Sequence, residues 1–420
     1  MEPNVAIVGA GYVGVPLAQV FAEAGQRVVL LDVSADRVAQ LNRGESYIED
    51  VPSATVARLV ESGNLSASTD YDVLRGVEAI LIALPTPLSK QREPDLTIVE
   101  SAVAQIATRL QAGQLVVLES TTWPGTTRER VQPLLEQGSG LAAGTDFHLA
   151  FSPERVDPGR EDWTTKTTPK VVGGIDEAST KRASDFYKLA IDTMVEVTSP
   201  EAAEMTKLLE NIFRSVNIAL ANELAQLCDR MQLDVWEIID AAATKPFGFM
   251  KFAPGPGLGG HCIPIDPFYL TWKAREFNFT TEFIELAGRV NENMPYFCRG
   301  KISRALNGHS KAVRGSKILV LGVAYKKDIS DMRESPALKV IELLLGQGGL
   351  VSYHDPYVSE LKQFDLRSVD LVPEDYDVVA ILTDHSDIDY EDVVARSQLV
   401  VDFRNATKAV APREGKVWKL

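Results

Sequence analysis

The stretch NVAIVGAGYVGVPLAQVFAEAGQRVVLLD, residues 4–32, decides the fold. A short apolar run comes first, and Gly9, Gly11 and Gly14 follow it at once. A helix-like segment comes next, and a second apolar run, RVVLLD, closes the stretch. This order is typical of a strand–helix–strand unit, the building block of a parallel sheet covered by helices.

The three glycines have the spacing of a pyrophosphate-binding turn. Such a turn needs a sharp bend, close backbone approach to the phosphates and a helix amino terminus. Asp32 ends the second strand 18 residues after Gly14, where an acid can accept hydrogen bonds from ribose hydroxyls and repel a 2′-phosphate. The stretch therefore predicts NAD rather than NADP. Arg37 fits a position along the adenine or ribose and, nearly as well, an ordinary exposed arginine on a helix. The predicted cofactor-binding residues are Gly9, Gly11, Tyr12, Val13, Gly14, Asp32, Arg37, Thr86 and Thr122.

The same alternation of apolar runs and helix-like segments continues through the first half of the chain and returns near its end. We predict an α/β protein with two Rossmann-like, doubly wound domains, joined by a long central helix and a helical middle region. The expected boundaries are 1–198, 199–300 and 301–420. The apolar runs on which this rests are NVAIVG, RVVLLD, AILIAL, QLVVLES, HLAFSP and KVVGG in the first half, and SKILVLGVAYK, LVSYHDP, DVVAILT and LVVDFRN in the second.

The central helix is predicted over residues 200–231. Ser199 can cap it, Pro200 suits its first turn and Glu201 suits its positive end. A wide apolar stripe fits either the seam of a homodimer or the spine of a monomer. The stripe consists of Met205, Leu208, Leu209, Ile212, Val216, Leu220, Leu224 and Leu227.

Composition and charge limit the partners and the cellular location that we expect. The chain has 420 residues and a net charge of −15, which argues against nucleic acid or an anionic membrane as partners. No apolar run approaches the roughly 18 residues that cross a bilayer, and the start of the chain does not resemble a signal peptide. Three widely spaced cysteines do not suggest a disulfide framework. We expect a reduced, cytoplasmic protein.

One of the cysteines lies in unusual backbone, PGPGLGGHCIPIDPFYL, residues 254–270. Cys262 follows Gly259 and precedes Asp266, where a helix is predicted to begin. A nearby helix amino terminus favours the thiolate, and glycine backbone lets a substrate approach, so Cys262 is a candidate nucleophile. An inert buried thiol is the equal alternative. No second ligand pair accompanies His261 at zinc spacing, so we expect no metal.

Other polar side chains fall where ligands bind in such folds. Lys207, Asn211 and Arg214 share one face of the central helix. Thr122, in STTWPG, and Glu154, in SPERVDPG, each follow a strand of the first sheet, at whose carboxyl ends ligands bind.

In this combination, with GLGGHCIPID, YKKDISDMRESP and VVDFRN in order, the chain resembles the UDP-glucose/GDP-mannose dehydrogenase family over essentially its whole length. The resemblance implies an NAD-binding domain, a central domain and a UDP-binding domain that takes a nucleotide-sugar substrate. It also implies oxidation of the sugar C6 alcohol to a carboxylate by two NAD⁺. A cysteine thiolate holds the aldehyde as a thiohemiacetal, which becomes a thioester and is hydrolysed.

The same resemblance implies roles for four residues near the reaction. Cys262 is the nucleophile, and Lys207 stabilises the alkoxide or oxyanion. Asp266 works with a water in proton transfer, and Asn211 helps to hold that water or the oxyanion.

The resemblance places further residues around the substrate. Thr122 and Glu154 line the junction of nicotinamide and sugar, and Glu154 takes part in thioester hydrolysis. Lys326 and Arg404 contact the nucleotide sugar, although each also fits a surface cation. The full substrate-binding set is Glu154, Arg155, Lys207, Asn211, Gly259, Lys326 and Arg404.

The variants SPER-x-DPG and GGHCIP-x-DP resemble the branch that oxidises UDP-N-acetylglucosamine, which is the favoured substrate. UDP-glucose and dTDP-glucose are alternatives. The mannosamine branch tends towards Ala and Trp where this chain has Pro264 and Phe268. Two rival functions are a one-step hydroxyacid dehydrogenase, which has no use for the thiol, and an NAD-sensing regulatory protein.

Overall fold

The structure is a computed structural model that describes residues 4–89, 93–156, 162–260, 263–411 and 415–420. It divides into two compact units, Met1–Glu210 with Phe268–Phe279 and Asn211–Pro267 with Thr280–Leu420. Within these ranges, no helix is both long and apolar enough to cross a membrane.

The first unit contains an eight-stranded sheet. Its strands are β1 Val5–Val8, β2 Val28–Leu31, β3 Leu65–Ser68, β4 Ala79–Ile82, β5 Leu115–Leu118, β6 His148–Phe151, β7 Lys170–Gly174 and β8 Met194–Glu196. They lie in the order β3-β2-β1-β4-β5-β6-β7-β8. Strands β3 to β6 in this order have the arrangement of a Rossmann sheet, which confirms the predicted fold class.

Helices cover both faces of this sheet. Val5 and Ile7 of β1 face one core, whereas Ala6 and Val8 face a second core on the other side. This alternation is what a strand buried on both faces requires. The helices of the first unit are α1 Gly14–Glu23, α2 Ala35–Asn42, α3 Ser53–Glu61, α4 Thr97–Ala107, α5 Gln132–Ser139 and α6 Glu177–Tyr187, with a π-helical turn at Thr127–Val131 and a 3₁₀ segment at Tyr71–Gly76.

Strand β7 departs from the prediction of a parallel sheet, because it pairs with β6 in the antiparallel direction. Residues 152–156 and 162–169, which lie between the two strands, form no helix. Parallel neighbours are usually joined by a helical crossover, and the described parts of this connection contain none.

Helix α7 spans Pro200–Met231, as the sequence predicts. The Ser199 hydroxyl accepts a hydrogen bond from the Ala202 N–H at 3.2 Å, which is the expected cap. Leu208 and Ile212 are buried. Much of the remaining stripe is exposed, together with nearby apolar residues of the same helix, namely Met205, Leu209, Phe213, Leu220, Leu224, Leu227 and Met231.

The second unit has a parallel five-stranded sheet and a small antiparallel pair. The strands are β9 Lys317–Leu321, β10 Leu350–His354, β11 Glu360–Leu361, β12 Leu366–Arg367, β13 Val378–Ile381, β14 Val400–Asp402 and β15 Val417–Lys419. The sheet has the order β10-β9-β13-β14-β15, and β11 and β12 form the pair. Ile318 and Val320 face one core and Leu319 and Leu321 face another, as in the first sheet.

The remaining helices follow α7 along the chain. They are α8 Val235–Ala243, α9 Asp266–Ala274, α10 Glu282–Gly308, α11 Pro336–Gly346 and α12 Tyr390–Arg396, with 3₁₀ segments at Arg275–Phe277, Lys362–Phe364 and Pro373–Asp375. Helix α9 begins at Asp266, in the Asp-Pro pair where the sequence predicts a helix start. The buried Cys228 lies in the core of the second unit, as predicted, and Cys298 is buried there too.

Candidate active site

The glycine loop after β1 has the shape that a pyrophosphate needs. Gly9 has φ +108°, and a Cβ there would lie 2.3 Å from the Ala83 oxygen. A Cβ on Gly14 would lie 1.8 Å from the Gly9 oxygen, whereas one on Gly11 would meet nothing within 4 Å. Two glycines therefore permit the turn and the close start of α1, and the third leaves bare backbone in front of the helix. These residues fit the predicted dinucleotide.

Asp32 holds this loop at the end of β2. Its Oδ2 accepts the Ala10 N–H at 3.0 Å and its Oδ1 accepts the Ser34 N–H at 2.9 Å. A carboxylate has about four acceptor positions, so these two bonds are compatible with a ribose hydroxyl as a further donor. The exposed Arg37 guanidinium lies 3.7 Å from the same carboxylate, and Tyr12 is half-exposed beside Val13.

The loop after β4 carries Thr86, which is buried. Its hydroxyl donates to the Thr121 carbonyl at 2.7 Å, and its own carbonyl accepts the hydroxyl of Tyr269 on α9. In the same unit, Trp272 of α9 packs on Trp123 with ring centroids 4.8 Å apart. Helix α9 therefore holds the loops that contain the predicted cofactor residues Thr86 and Thr122.

Thr122 is fully buried, and its hydroxyl finds no hydrogen-bond partner among the described residues. A buried polar atom of this kind is rare in a folded protein unless a ligand or water satisfies it. Its position after β5 fits the sequence prediction of a residue beside the cofactor and the sugar.

Glu204, which the sequence patterns did not indicate, holds the loop that follows Thr122. Its Oε2 accepts the Gly125 N–H at 2.6 Å, and its Oε1 accepts the N–H and the hydroxyl of Thr127 at 2.9 and 2.7 Å. Burial raises the pKa of Glu204 from 4.5 to about 7, against the three donors, which lower it.

Glu154 and Arg155 sit beside each other but face different partners. The Glu154 Oε1 accepts the N–H groups of Arg155 and Val156 at 2.9 and 2.8 Å. The Arg155 guanidinium donates to Glu210 Oε1 and to the Pro169 carbonyl, both at 2.5 Å. The Arg155 guanidinium thus pairs with a carboxylate of α7, while Glu154 keeps a partly exposed carboxylate.

On α7, Lys207 is buried in the first unit. No carboxylate lies within 4 Å of its ammonium in the described part of the chain. A buried ammonium without an anionic partner is costly, which fits the predicted role of stabilising a negative oxygen. Arg214, about two turns further along the helix, is exposed.

In the second unit, Asn211 and Asp266 come together. The Asn211 Nδ2 donates to the Asp266 Oδ2 at 2.5 Å, across 55 residues of sequence. Asp266 is buried and is the first residue of α9. Cys262 and His261, four and five residues earlier, lie outside the described residues. Among those described, no cluster of side chains suits a metal ion.

The glycines before Cys262 are packed against the segment 325–336. A Cβ on Gly259 would lie 2.5 Å from the Tyr325 Cβ, and Gly260 has φ +88° and donates its N–H to the Arg333 carbonyl at 3.0 Å. The predicted nucleotide-sugar residue Lys326 directly follows Tyr325 and is partly buried.

Arg404, the other predicted cation, lies against the start of the same glycine segment. A Cβ on Gly255 would lie 2.7 Å from its Nη1. Its Nε donates to Asp384 at 3.2 Å, and Asn222 accepts the Gly255 N–H at 2.9 Å. The second unit therefore brings Arg404 and the glycine segment together.

Comparison with known proteins gives the class. Residues 3–191 match the NAD binding domain of the UDP-glucose/GDP-mannose dehydrogenase family, residues 201–293 its central domain and residues 319–409 its UDP binding domain. The chain belongs to this family. It is an NAD-dependent nucleotide-sugar dehydrogenase, an oxidoreductase whose cofactor is NAD.

Individual relatives agree over nearly the full length. The UDP-N-acetyl-D-mannosamine dehydrogenase of Pyrococcus horikoshii is 36% identical over 411 residues, which is 96% of both chains. A solved structure of the UDP-D-ManNAc dehydrogenase from that organism has a TM-score of 0.90 at 34% identity, covering 99% of this chain and 98% of the other. A UDP-glucose dehydrogenase from Pyrobaculum islandicum has a TM-score of 0.87 at 30% identity, covering 97% and 96%.

Proposed function

We propose that this enzyme oxidises C6 of a UDP-linked N-acetylhexosamine to the uronic acid, in two successive oxidations on one active site. The observation that carries the proposal is the hydrogen bond between Asn211 and Asp266 at 2.5 Å. It joins two predicted catalytic side chains at the start of α9, four residues after Cys262. A one-step hydroxyacid dehydrogenase would have no use for the thiol.

NAD⁺, when bound, accepts a hydride from the substrate in each oxidation. In the first, Asp266 and the water that it shares with Asn211 take the proton of the C6 hydroxyl. The buried Lys207 ammonium stabilises the alkoxide and later the oxyanion. The Cys262 thiolate adds to the aldehyde carbon and turns it back into a hydride donor, so the intermediate stays covalently held.

The second oxidation leaves a thioester on Cys262, and water must cleave it. Glu154 is proposed to accept a proton from this water, and the buried Thr122 hydroxyl lies on the loop next along the sheet. The other substrate contacts are assigned to Arg155, Gly259, Lys326 and Arg404. Of these, Arg404 and Gly259 belong to one packed region of the second unit, which supports a shared site for the nucleotide sugar.

Two N-acetylhexosamines compete as substrate. The SPER-x-DPG and GGHCIP-x-DP variants favour UDP-N-acetylglucosamine, whereas the names of the Pyrococcus relatives favour UDP-N-acetylmannosamine. UDP-glucose is an alternative, since the UDP-glucose dehydrogenase from Pyrobaculum is nearly as similar in structure. dTDP-glucose is another, because the sequence does not indicate which residues contact the base. A role as an NAD-sensing regulatory protein has no support from the site.

A substrate panel tests the proposal. NADH formation at 340 nm is compared for UDP-N-acetylglucosamine, UDP-N-acetylmannosamine, UDP-glucose, dTDP-glucose and GDP-mannose, as kcat/KM. We expect one of the two N-acetylhexosamines to exceed both glucose nucleotides by at least about tenfold. A preference for UDP- or dTDP-glucose would refute the N-acetylhexosamine assignment and leave the family intact.

We further propose a division into an NAD-binding domain over 1–198, a central domain over 199–300 and a UDP-sugar domain over 301–420. The three family matches support it, with slightly different ends. The exposed apolar residues of α7 support a homodimer. Free, buried Cys228 and Cys298 support a reduced, cytoplasmic setting.

A further inference from the structure

The reversal of β7 places a lysine opposite Glu154. Phe151 of β6 pairs with Gly173 of β7, and Ala150 pairs with Gly174. Continuing this antiparallel register for three residues brings position 154 opposite position 170. The first residue of β7 is Lys170, and its ammonium lies 3.8 Å from the Glu154 Oε2.

Lys170 is almost fully buried and belongs to a charged cluster that the predicted mechanism does not use. Its ammonium donates to the Glu119 Oε2 at 2.7 Å and to the Pro153 carbonyl at 3.2 Å. The other Glu119 oxygen accepts the hydroxyl of the fully buried Tyr187. A lysine ammonium has three N–H donors, so the third is available to Glu154.

Removing the charges of this cluster from water costs free energy. Burial raises the pKa of Glu119. The Lys170 ammonium lowers this pKa, and the neighbouring Glu154 carboxylate raises it further. A buried ion pair is weak evidence for stability, because desolvation can cancel its attraction. Lys170 is shared by two carboxylates, of which Glu119 is deeply buried and Glu154 is partly exposed. A partly exposed carboxylate can meet substrate or water, so we expect the function of the cluster at Glu154.

Glu154 is consequently held at both of its oxygens. Two backbone N–H groups bind Oε1, and the Lys170 ammonium faces Oε2. We propose that Lys170, fixed by Glu119 and Tyr187, is a positioning residue that aims the Glu154 carboxylate at the water that hydrolyses the thioester. This inference rests on the proposed role of Glu154.

The step itself balances without any further reactant. The water oxygen adds to the thioester carbonyl carbon, and one water proton passes to Glu154. The C–S bond then breaks, Cys262 leaves as the thiolate, and the sugar carries the new carboxylic acid. Lys170 takes no part in bond making, so its loss affects this step and spares the two hydride transfers before it.

Pre-steady-state kinetics separates these steps. NADH is followed by stopped flow with UDP-N-acetylglucosamine or UDP-N-acetylmannosamine, whichever the wild-type enzyme oxidises faster. For Lys170→Met we expect a burst of two NADH per active site at nearly the wild-type rate, followed by steady turnover at least about tenfold slower. The trapped thioester should be visible as an increase in protein mass.

Three variants complete the test. Glu154→Gln should give the same burst, and so should the double variant Lys170→Met/Glu119→Gln. The double variant is included in case Lys170→Met folds poorly, because it leaves no unpaired buried charge. Tyr187→Phe removes only one hydrogen bond to Glu119 and leaves Lys170 in place, so we expect a lower Tm and a steady turnover that slows less than in Lys170→Met.

The outcomes distinguish the two proposals. If Glu154→Gln turns over like the wild type, the proposed role of Glu154 fails, and that of Lys170 with it. If Glu154→Gln gives the burst while both Lys170 variants do not, Lys170 is merely structural. Lys170 is also merely structural if its variants slow the burst and the steady state equally.

Discussion

Burial raises the pKa of two carboxylates of the first unit, Glu119 and Glu204, although their partners differ. Glu119 accepts a hydrogen bond from the Lys170 ammonium, whereas Glu204 accepts hydrogen bonds from the N–H groups of Gly125 and Thr127 and from the Thr127 hydroxyl. At Glu204 the three neutral donors lower the pKa less than burial raises it, so the pKa is about 7. The loop beside Thr122 is therefore held by a group that titrates near neutral pH.

This titration predicts a pH dependence of stability. Between the ordinary pKa of 4.5 and about 7, the folded protein keeps a proton on Glu204 that the unfolded chain releases. The contribution of Glu204 to the free energy of unfolding is fully present below pH 4.5 and is lost as the pH rises to about 7. The loss is on the order of 3 kcal/mol. Urea unfolding of wild type and Glu204→Gln at pH 4.5 to 8 checks it.

The informative quantity is the slope of the unfolding free energy against pH, because replacing Glu204 by glutamine also changes the hydrogen bonds at every pH. Wild-type stability should fall relative to Glu204→Gln across that window and run parallel to it above pH 7. The exposed Glu61 gives a matched control, in which Glu61→Gln leaves the slope unchanged. A wild-type stability that rises relative to Glu204→Gln over the same range would contradict the account.

Residues with local signatures could be predicted from the sequence, whereas those whose partners are distant could not. The glycine spacing and Asp32 could be read from 29 consecutive positions, 4 to 32. The Lys170–Glu119 contact spans 51 residues, Tyr187–Glu119 spans 68 and Glu204–Thr127 spans 77. No periodicity relates such positions, and only the folded sheet brings them together. Cys262 was predicted from its local setting and stays a prediction.

At the scale of elements, strong patterns predicted the structure and weak ones did not. Helix α7 has its predicted bounds because it combines a cap, a proline in the first turn and a long apolar stripe. Strand β3, LSAS, has only two apolar residues, and β15 has three residues in all, so neither could be recognised. The direction of β7 could not be read, because pairing direction depends on the connection rather than on the strand.

The glycine segment before Cys262 gives an element-scale prediction. Gly259→Ala puts a Cβ 2.5 Å from the Tyr325 Cβ, closer than side-chain atoms approach, so the segment must shift. We expect kcat/KM for the nucleotide sugar to fall at least about tenfold, as misplaced catalytic groups cause. Affinity for NAD⁺, measured by fluorescence, should change less than about twofold.

A double-mutant cycle isolates the contact. Tyr325→Gly removes the nearest obstructing atom, so adding Gly259→Ala to it should cost less than in the wild type, with the Glu334 oxygen and the Pro336 Cδ still 3.1 Å from the new Cβ. Tyr325→Ala keeps the Cβ and should give no relief. Gly346→Ala is a matched control, since a Cβ there meets nothing within 4 Å. Equal losses from Gly259→Ala in the wild-type and Tyr325→Gly backgrounds would refute the packing argument.

For the whole molecule, the exposed apolar side of α7 leads to a prediction about assembly. Leu220 and Leu224 are 56% and 40% exposed on one helix, and a large apolar patch on a soluble protein commonly marks an interface. Leu220→Glu/Leu224→Glu should weaken the proposed homodimer at least about a hundredfold, because burying such side chains contributes roughly 1.5–3 kcal/mol each.

Light scattering after size exclusion, at micromolar concentrations, measures the mass directly. Leu350→Glu is the matched control, because Leu350 is 57% exposed on β10, apart from α7. It should remain a dimer, as should the wild type. A monomeric wild type, or a double variant that stays dimeric, would show that this side of α7 is not the seam.

The central claim is a four-electron oxidation through a thioester on Cys262, and product stoichiometry tests it most directly. NADH and uronic acid are counted together for each nucleotide sugar consumed. We expect two NADH and one carboxylate for the wild type and no carboxylate from Cys262→Ala, whereas Cys228→Ala should keep the ratio of two. One NADH per sugar in the wild type, or full carboxylate production by Cys262→Ala, would contradict it.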